Sequence, residues 1–185
     1  MSQKKKTPEP VDLYSLHTIF LITGGLMLSQ VVECTGVNSS TIQNWIKRGW
    51  IAAPKGKKYS ERQVARILII DMLRRSMKLE DILRLMECVN GDVEDPSDDI
   101  INDVDLYYYI YRIVHRLYPV NNFTLDRLND VIDEEIKDYA GTKSDYTGRV
   151  DDAFKRLHDA LHIMMLTYIS SELRKQAEIE LAALK

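Results

Sequence analysis

The sequence predicts a mainly α-helical protein, with a helical N-terminal head and a helical C-terminal domain that ends in a long helix. Only 8 glycines and 5 prolines occur among the 185 residues. Apolar residues recur at helical spacing through most of the chain, whereas alternating, strand-like patterns are rare. A hydrophobic content of 45% and a charged content of 29% are ordinary for a globular protein of one or two domains.

The first 23 residues predict a basic arm and one helix. Residues 1–10 contain three lysines and two prolines and are expected to form a flexible arm. Residues 11–23 form a helix-period stretch, which Gly24 and Gly25 end. Polar residues interrupt this stretch, no small-residue cleavage site follows, and no run reaches the 18 or so apolar residues of a membrane span. We therefore expect a cytoplasmic protein with no membrane contact.

Residues 29–48 predict two short helices joined by a tight turn. Ser29 can begin the first helix, Val31 and Val32 supply its apolar face, and Gly36 permits the positive φ of the turn. Asn38 is placed to cap the second helix through its side chain. In that helix the inward positions are apolar and the outward ones are polar. The inward residues are Val37, Ile42, Trp45 and Ile46, and the outward ones are Ser39, Ser40, Gln43, Asn44 and Lys47.

A short basic turn and a capped helix follow. Pro54 and Gly56 favour a reversal, and Lys55, Lys57 and Lys58 crowd its tip, which is unfavourable except beside anions. Residues 60–63 read as a capping box, in which Ser60 and Gln63 satisfy each other's backbone N–H groups. The helix that starts there is expected to place four arginines on its outer face. They are Arg62, Arg66, Arg74 and Arg75. A break at residues 76–78 precedes a shorter helix, residues 79–88.

This order of parts resembles the DNA-binding head of the MerR family of bacterial regulators, over roughly residues 27–88. The matching segments are Thr35-Gly36-Val37, Thr41-Ile42, Gly49 with Pro54, Lys58-Tyr59-Ser60 and Leu79-Glu80-Asp81-Ile82. The resemblance implies a winged helix-turn-helix and a transcription regulator. Asn44-Trp45 replaces the paired tyrosines usual in MerR heads, and no long heptad helix follows the head, which is how MerR relatives usually dimerise. The remainder resembles an uncharacterised, mostly Gram-positive family with a MerR-like head, which implies no known ligand.

The second half predicts an acidic linker and a helical body. Residues 91–102 are acidic and contain a proline, which favours a linker. Residues 104–117 form a helix that is apolar nearly all round, Thr124 can cap a second helix, and residues 141–148 read as a polar loop. The last helix, residues 150–184, is about 50 Å long at 1.5 Å per residue. Part of it is expected to contact a second subunit. The predicted division is therefore an arm (1–10), a head (11–90), a linker (91–102) and a dimerisation or effector domain (103–185).

Charge is divided unequally between the two halves. Residues 24–90 carry 11 Lys or Arg against 6 Asp or Glu, whereas residues 91–185 carry 11 against 20. A basic head on an acidic body is the asymmetry expected when only the head meets a polyanion. The alternative is chance combined with an acidic solvated surface.

Other chemistry-bearing residues point to simpler roles. Cys34 and Cys88 are expected to be reduced core thiols. His158 and His162 share a helical face but lack a third metal ligand at matching spacing. Four tyrosines either line an effector pocket or pack in the core. They are Tyr107, Tyr108, Tyr109 and Tyr111. No phosphate loop, nucleophile elbow or clustered metal motif is present, so the sequence predicts no enzyme and no cofactor.

The leading hypothesis is a homodimeric, sequence-specific regulator that binds double-stranded DNA. Its expected DNA-binding residues are Asn38, Ser39, Ser40, Thr41, Gln43, Asn44, Lys47, Arg48, Lys55, Lys57, Lys58 and Tyr59. Amides and hydroxyls suit base edges, and cations suit phosphates. The second hypothesis is a helical protein-interaction or small-molecule-sensing module without DNA binding. A metal- or redox-responsive version is the third.

Overall fold

The computed structural model describes residues 10–91, 93, 99–118, 123–139 and 150–184. This part of the chain is mainly helical, as the sequence predicts, with one antiparallel two-stranded sheet in which Leu26 pairs with Tyr59. The predicted arm at residues 1–9, the break at residues 119–122 and the polar loop at residues 141–148 lie outside the described residues. The elements in chain order are α1 (Leu13–Thr23), β1 (Leu26–Met27), α2 (Leu28–Thr35), α3 (Ser39–Lys47), β2 (Lys58–Tyr59), α4 (Glu61–Leu73), α5 (Leu79–Asn90), α6 (Asp103–Leu117), α7 (Leu125–Ile136) and α8 (Val150–Ala183).

Local signals fix most of the helix ends. Gly24 ends α1 in the left-handed conformation, with φ of 68°, as expected,. The Thr124 hydroxyl accepts a hydrogen bond from the Arg127 backbone N–H and starts α7,. The expected start at Ser29 is wrong, because α2 begins at Leu28. There the Gln30 side chain, rather than a serine hydroxyl, accepts the Met27 backbone N–H.

Helix α4 lies at the centre of the molecule and packs against α1, α2, α5, α6 and α8. Its start is the predicted capping box: Ser60 N–H donates to the Gln63 side chain at 2.8 Å, and Gln63 N–H donates back to the Ser60 hydroxyl at 3.3 Å. A central helix must be apolar nearly all round, and most of its residues are buried. They are Gln63, Val64, Ala65, Arg66, Ile67, Leu68, Ile69, Ile70 and Leu73.

One outward position predicted for α4 is wrong. Arg66 is only 2% exposed, because α6 covers the face of α4 on which it lies. Its guanidinium meets Asp103 at 3.0 Å, and Asp103 is fully buried. Arg62 is half-buried and joins the same network, through Asp103 at 2.9 Å and Asp99 at 3.1 Å. The buried charges are therefore paired, as buried charges must be.

The stretch expected to be a linker packs closely in its described part. Ile100 and Ile101 are 3% and 2% exposed, and both of their backbone N–H groups donate to the Val89 carbonyl. The Asn90 side chain donates to the Ile101 carbonyl. Residues 99–101 therefore connect the end of α5 to the start of α6 through buried contacts, and a single hydrophobic cluster extends from α1 to α8.

The body consists of α6, α7 and α8. Helix α6 is capped by Asn102, whose side chain accepts the backbone N–H groups of Val104 and Asp105 at 2.9 Å. The buried residues of α6 contact α4 on one side and α7 on another. Helix α8 runs for 34 residues, close to the length predicted. None of the helices in the described ranges is long and apolar enough to cross a membrane.

The two cysteines occupy different environments. Cys34 is half-buried, and burial raises the pKa of its thiol,. Cys88 is exposed, so the expectation that both are core thiols is wrong for Cys88. It lies on the outer face of α5, one residue from the buried Val89.

Removing the Asp103 carboxylate should destabilise the fold strongly. Asp103→Ala leaves the Arg66 charge buried without its carboxylate partner, and we expect a loss of about 3–5 kcal/mol in the free energy of unfolding. Asp105→Ala, two residues along the same helix but exposed, should cost at most about 1 kcal/mol. Urea unfolding of both variants measures the difference. Equal losses would contradict a structural role for the Arg66–Asp103 pair.

Candidate nucleic-acid interface

The outer face of α3 carries polar side chains. Ser39, Ser40, Gln43, Asn44 and Lys47 are all exposed, as predicted. The opposite face is apolar, with Ile42 fully buried and Trp45 only 2% exposed. Thr41, also expected at the interface, is half-buried at the edge of the exposed face. The helix therefore presents hydroxyls, two amides and a cation to solvent.

The turn that orients α3 has the predicted glycine. Gly36 has φ of 71°, and its N–H donates to the Val32 carbonyl at 2.9 Å, which closes α2,. The Thr35 hydroxyl accepts the Val37 N–H at 3.2 Å and donates to the Val31 carbonyl at 2.7 Å. Val31 and Val37 are buried. The angle between α2 and α3 is thus fixed by hydrogen bonds and by apolar packing together.

Asn38 lies at the N-cap of α3 but does not cap it as expected. Its carbonyl accepts the N–H groups of Thr41 and Ile42 at 3.0 and 3.1 Å. Its side chain makes no capping hydrogen bond, so the predicted side-chain cap is wrong. The exposed Asn38 amide therefore remains on the surface at the start of α3, where partial positive charge of the helix end also lies.

A basic hairpin, residues 55–59, flanks the α2–α3 pair. Its second strand, β2, pairs with β1, and β1 leads directly into α2. The Lys58 N–H donates to the Lys55 carbonyl at 3.1 Å across the turn. Gly56 and Lys57 have φ of 58° and 65°, as the two central residues of a type I′ turn require. The hairpin therefore projects a tight reversal that carries Lys57 at its tip.

The lysines of the basic hairpin are not equivalent. Lys55, Lys57 and Lys58 are all exposed. Lys58 donates from Nζ to the Thr23 carbonyl at the end of α1, so it also anchors the hairpin to the fold. Lys55 and Lys57 have no side-chain partner among the described residues. They are the two hairpin cations available for an anion.

Tyr59 was expected at the DNA interface, and this expectation is wrong. It is only 3% exposed, because β2 alternates its side chains between solvent and core and Tyr59 faces the core,. Burial raises the pKa of its hydroxyl. Tyr59 therefore supports the basic hairpin from below and is not a surface contact.

The segment between α3 and the basic hairpin is held from α4. The Arg66 Nε donates to the Trp50 carbonyl at 2.9 Å, and the Gln63 side chain donates to the Ala52 carbonyl at 2.7 Å. Arg48, at the end of α3, is exposed and places its guanidinium 5.1 Å from the centre of the Trp50 ring,. Sequence reasoning did not assign these supporting roles to Arg66 and Gln63. The sequence signal that could have indicated these roles is the nearly continuous apolar pattern of α4. Such a pattern predicts a helix that is buried on most sides, including the side that carries Arg66.

The tyrosines of α6 do not form one pocket. Tyr107 is buried at a small cavity of about 130 Å³, together with Tyr168, Arg75 and Glu172. Burial raises the pKa of both Tyr107 and Tyr168. The Tyr107 hydroxyl donates to the Val11 carbonyl at 2.8 Å, whereas the Tyr168 hydroxyl has no hydrogen-bond partner among the described residues. The other tyrosines lie elsewhere: Tyr108 donates to Glu61, Tyr109 lies under Arg112, and Tyr111 contacts His115.

The histidine pair of α8 has no complete set of metal ligands in the described part of the chain. The His158 and His162 rings are stacked with their centres 6.4 Å apart. His158 Nε2 lies 3.4 Å from the Asp133 carboxylate, and its Nδ1 lies 3.7 Å from Asp159. Both carboxylates are mostly exposed, so the geometry is that of a surface ion pair.

Comparison with known proteins identifies the family. Residues 5–111 match the family described as "domain of unknown function (DUF1836)". The chain belongs to this family. The DUF1836 segment includes the α2–α3 pair, the basic hairpin, α4, α5 and most of α6, so it also includes both partners of the Arg66–Asp103 pair. It does not include α7 or α8.

A curated relative of the DUF1836 chain is the uncharacterised protein YkrK of Bacillus subtilis (strain 168). The two are 28% identical over 141 residues, which cover 72% of this chain and 55% of the relative. The match thus spans about half the length of YkrK. No solved structure gives a significant match.

The close approach of β2 to Gly25 should hold the basic hairpin in its position on the fold. Gly25 has φ of +128°, and a Cβ there would lie 2.7 Å from the Tyr59 carbonyl oxygen, whereas a Cβ at Gly24 would meet nothing within 4 Å. We expect Gly25→Ala to cost at least about 2 kcal/mol of unfolding free energy, and Gly24→Ala about 1 kcal/mol from backbone strain alone. Urea unfolding compares the two. Equal costs would show that close approach at residue 25 does not hold the hairpin.

Proposed function

We propose that this protein is a sequence-specific, double-stranded DNA-binding transcription regulator of the cytoplasm, and that it acts as a homodimer. In this proposal α2 and α3 form the helix-turn-helix and the basic hairpin forms the wing of a MerR-like head. Helix α3 enters the major groove, and the hairpin follows the phosphate backbone. No catalytic step, metal or cofactor is part of the proposal.

The observation that carries the proposal is the exposed face of α3. Amides such as Gln43 and Asn44 can each make two hydrogen bonds to adenine, and serine hydroxyls can contact either a base or a phosphate. These side chains lie within the first two turns of a short helix whose other face is held in the core. A recognition helix needs such a rigid support, because base contacts depend on register.

The cations around α3 support the same proposal. Lys47 and Arg48 end the helix, and Lys55 and Lys57 extend from the hairpin, whose strand β2 also contacts α2. In contrast, Arg62 and Arg66 are engaged by carboxylates and contribute little free positive charge. The basic balance of residues 24–90 is therefore presented mainly by α3 and the hairpin. Such a footprint suits phosphate contacts.

The second candidate is a small-molecule-sensing module, and the cavity at Tyr168 favours it. This cavity is lined by residues of α2, α4, α6 and α8 together, so an occupant would contact both the α2–α3 pair and the body. Its volume suits a very small molecule and not a drug-sized one. The two candidates are compatible, since a DNA-binding regulator can also carry an effector site. Only the absence of DNA binding would favour the sensing module over the regulator.

Selection from random duplexes tests DNA binding directly. We expect enrichment of a roughly palindromic motif whose half-sites lie about 34 Å, or a multiple of it, apart. Gln43→Ala should change or weaken the preference at one base pair of each half-site, at a cost of about 1–3 kcal/mol in discrimination. Sequencing of the selected pools measures both effects. The absence of any enriched motif would exclude the proposal and favour the sensing module.

Salt titration tests the role of the hairpin. The variant Lys55→Gln with Lys57→Gln should weaken binding to all sequences and reduce the magnitude of the slope of log K against log salt concentration by about 4, because each protomer of the dimer loses two phosphate contacts. Lys58 is kept, because it also donates to the Thr23 carbonyl. The matched control changes two exposed lysines of the body, Lys137→Gln with Lys155→Gln. Equal slopes for both double variants would contradict phosphate contacts by the hairpin.

A further inference from the structure

The second half of α8 has an exposed apolar stripe. Leu173 is 51% exposed, Leu181 67% and Leu184 83%, although large aliphatic side chains are usually buried. At 3.6 residues per turn, these residues and two others fall within about 80° of the helix circumference. The complete stripe consists of Leu173, Ala177, Leu181 and Leu184, with Ser170 at its start.

The stripe faces away from the body. Met164, Met165 and Tyr168 lie on the other side of α8 and are buried. Ser171 is the last buried residue of the described part of α8, so the helix continues for about three more turns beyond the body. Along those described turns, Ile179 is the one large apolar residue outside the stripe. The stripe extends over about 21 Å, or two heptads, because its first and last residues are 14 positions apart.

The spacing of the stripe is that of a coiled-coil seam. Its members are separated by 3, 4, 4 and 3 residues, which matches on average the repeat of 3.5 that keeps a seam facing a partner helix. The sequence predicts no heptad helix directly after the head. The heptad spacing occurs instead at the far end of the chain, and the stripe is evident only once the buried face of α8 is known.

The charged residues beside the stripe favour a second copy of the chain as its partner, in the antiparallel direction. Arg174 and Glu178 lie on the same flank of the stripe and are 65% and 71% exposed. Within one chain they lie 3.8 Å apart, and Arg174 also donates to the Arg75 carbonyl. In an antiparallel pair of identical helices the same flanks face each other, so Arg174 of each copy comes within reach of Glu178 of the other. In a parallel pair, the flank of Arg174 would instead face the opposite flank of the other copy, which carries Gln176. No carboxylate on that flank lies level with Arg174.

We propose that this stripe binds the stripe of a second copy of the chain, as an antiparallel coiled coil with its two-fold axis at Ala177. Leu173 of one copy then packs on Leu181 of the other, and the small Ala177 side chains allow close approach at the axis. The contact is isologous, as two-fold dimers require. This inference rests on the homodimer of the proposed function, but not on its DNA contacts.

Sedimentation of the full chain without DNA tests the surface. Wild-type protein should dimerise at micromolar concentration, and Leu173→Glu should weaken association at least tenfold by placing a charge in the seam. Ile179→Glu is the matched control, since Ile179 is 52% exposed on the opposite side of the same helix. Circular dichroism confirms that each variant is folded. A dimer that survives Leu173→Glu, or that dissociates equally with Ile179→Glu, would overturn the proposal.

A rival surface is included in the same measurement. Helix α1 also exposes apolar side chains, among them Leu21 at 71% and Ile22 at 80%. If Ile22→Glu dissociates the dimer and Leu173→Glu does not, the subunits associate through α1 and the inference is wrong. A monomeric wild-type protein would remove both the inference and the dimer. An enriched DNA motif would still support the DNA-binding head in that case.

Disulfide crosslinking tests the direction of the pair. In a Cys34→Ser, Cys88→Ser background, a mixture of Leu173→Cys and Leu181→Cys proteins should crosslink on oxidation, because these positions face each other. Neither protein alone should crosslink, since two copies of residue 173 would be about 12 Å apart along the axis, beyond the reach of a disulfide. Crosslinking of each protein with itself would indicate a parallel pair and overturn the antiparallel arrangement.

Discussion

The buried pair of Arg66 and Asp103 is the constraint on which the rest of this structure depends. Two opposite charges are held 3.0 Å apart in the core, between the central helix α4 and the first helix of the body. Such a pair adds little net stability compared with apolar residues, but it specifies one arrangement, because any other leaves a charge buried alone. It therefore sets the register of α6 on α4.

The same arginine links this register to the surface. Its second hydrogen bond holds the Trp50 carbonyl, just beyond α3, and Gln63 holds the chain two residues later. The exposed face of α3, the basic hairpin and the body are thus positioned by neighbouring residues of α4. The DUF1836 segment ends within α6, so the family unit contains Arg66, Gln63, Asp103 and the segments that they hold. Helices α7 and α8 are built onto it.

Sequence reasoning succeeded for most of the local signals, although the side-chain cap expected at Asn38 is absent. The Gly36 turn, the Ser60–Gln63 capping box and the Thr124 cap depend on a few neighbouring residues, and all three are present. It failed where another element decides burial: Arg66 and Tyr59 read as surface residues, and only the positions of α6 and β1 show otherwise. The polar face of α3 was predictable because its hydrophobic period is complete within nine residues. The apolar stripe of α8 was not, because the whole helix is rich in apolar residues.

At position 57, the stability of the basic hairpin and its positive charge favour different residues. Its left-handed backbone, with φ of 65°, is a conformation that glycine adopts freely and that costs other residues about 1 kcal/mol or more. A glycine at this position would therefore give a more stable protein with one cation fewer at the tip. Selection for thermal stability alone would therefore favour replacement of this lysine by glycine. In the proposed function, a phosphate contact made by Lys57 offsets this cost, which is a trade-off typical of binding residues.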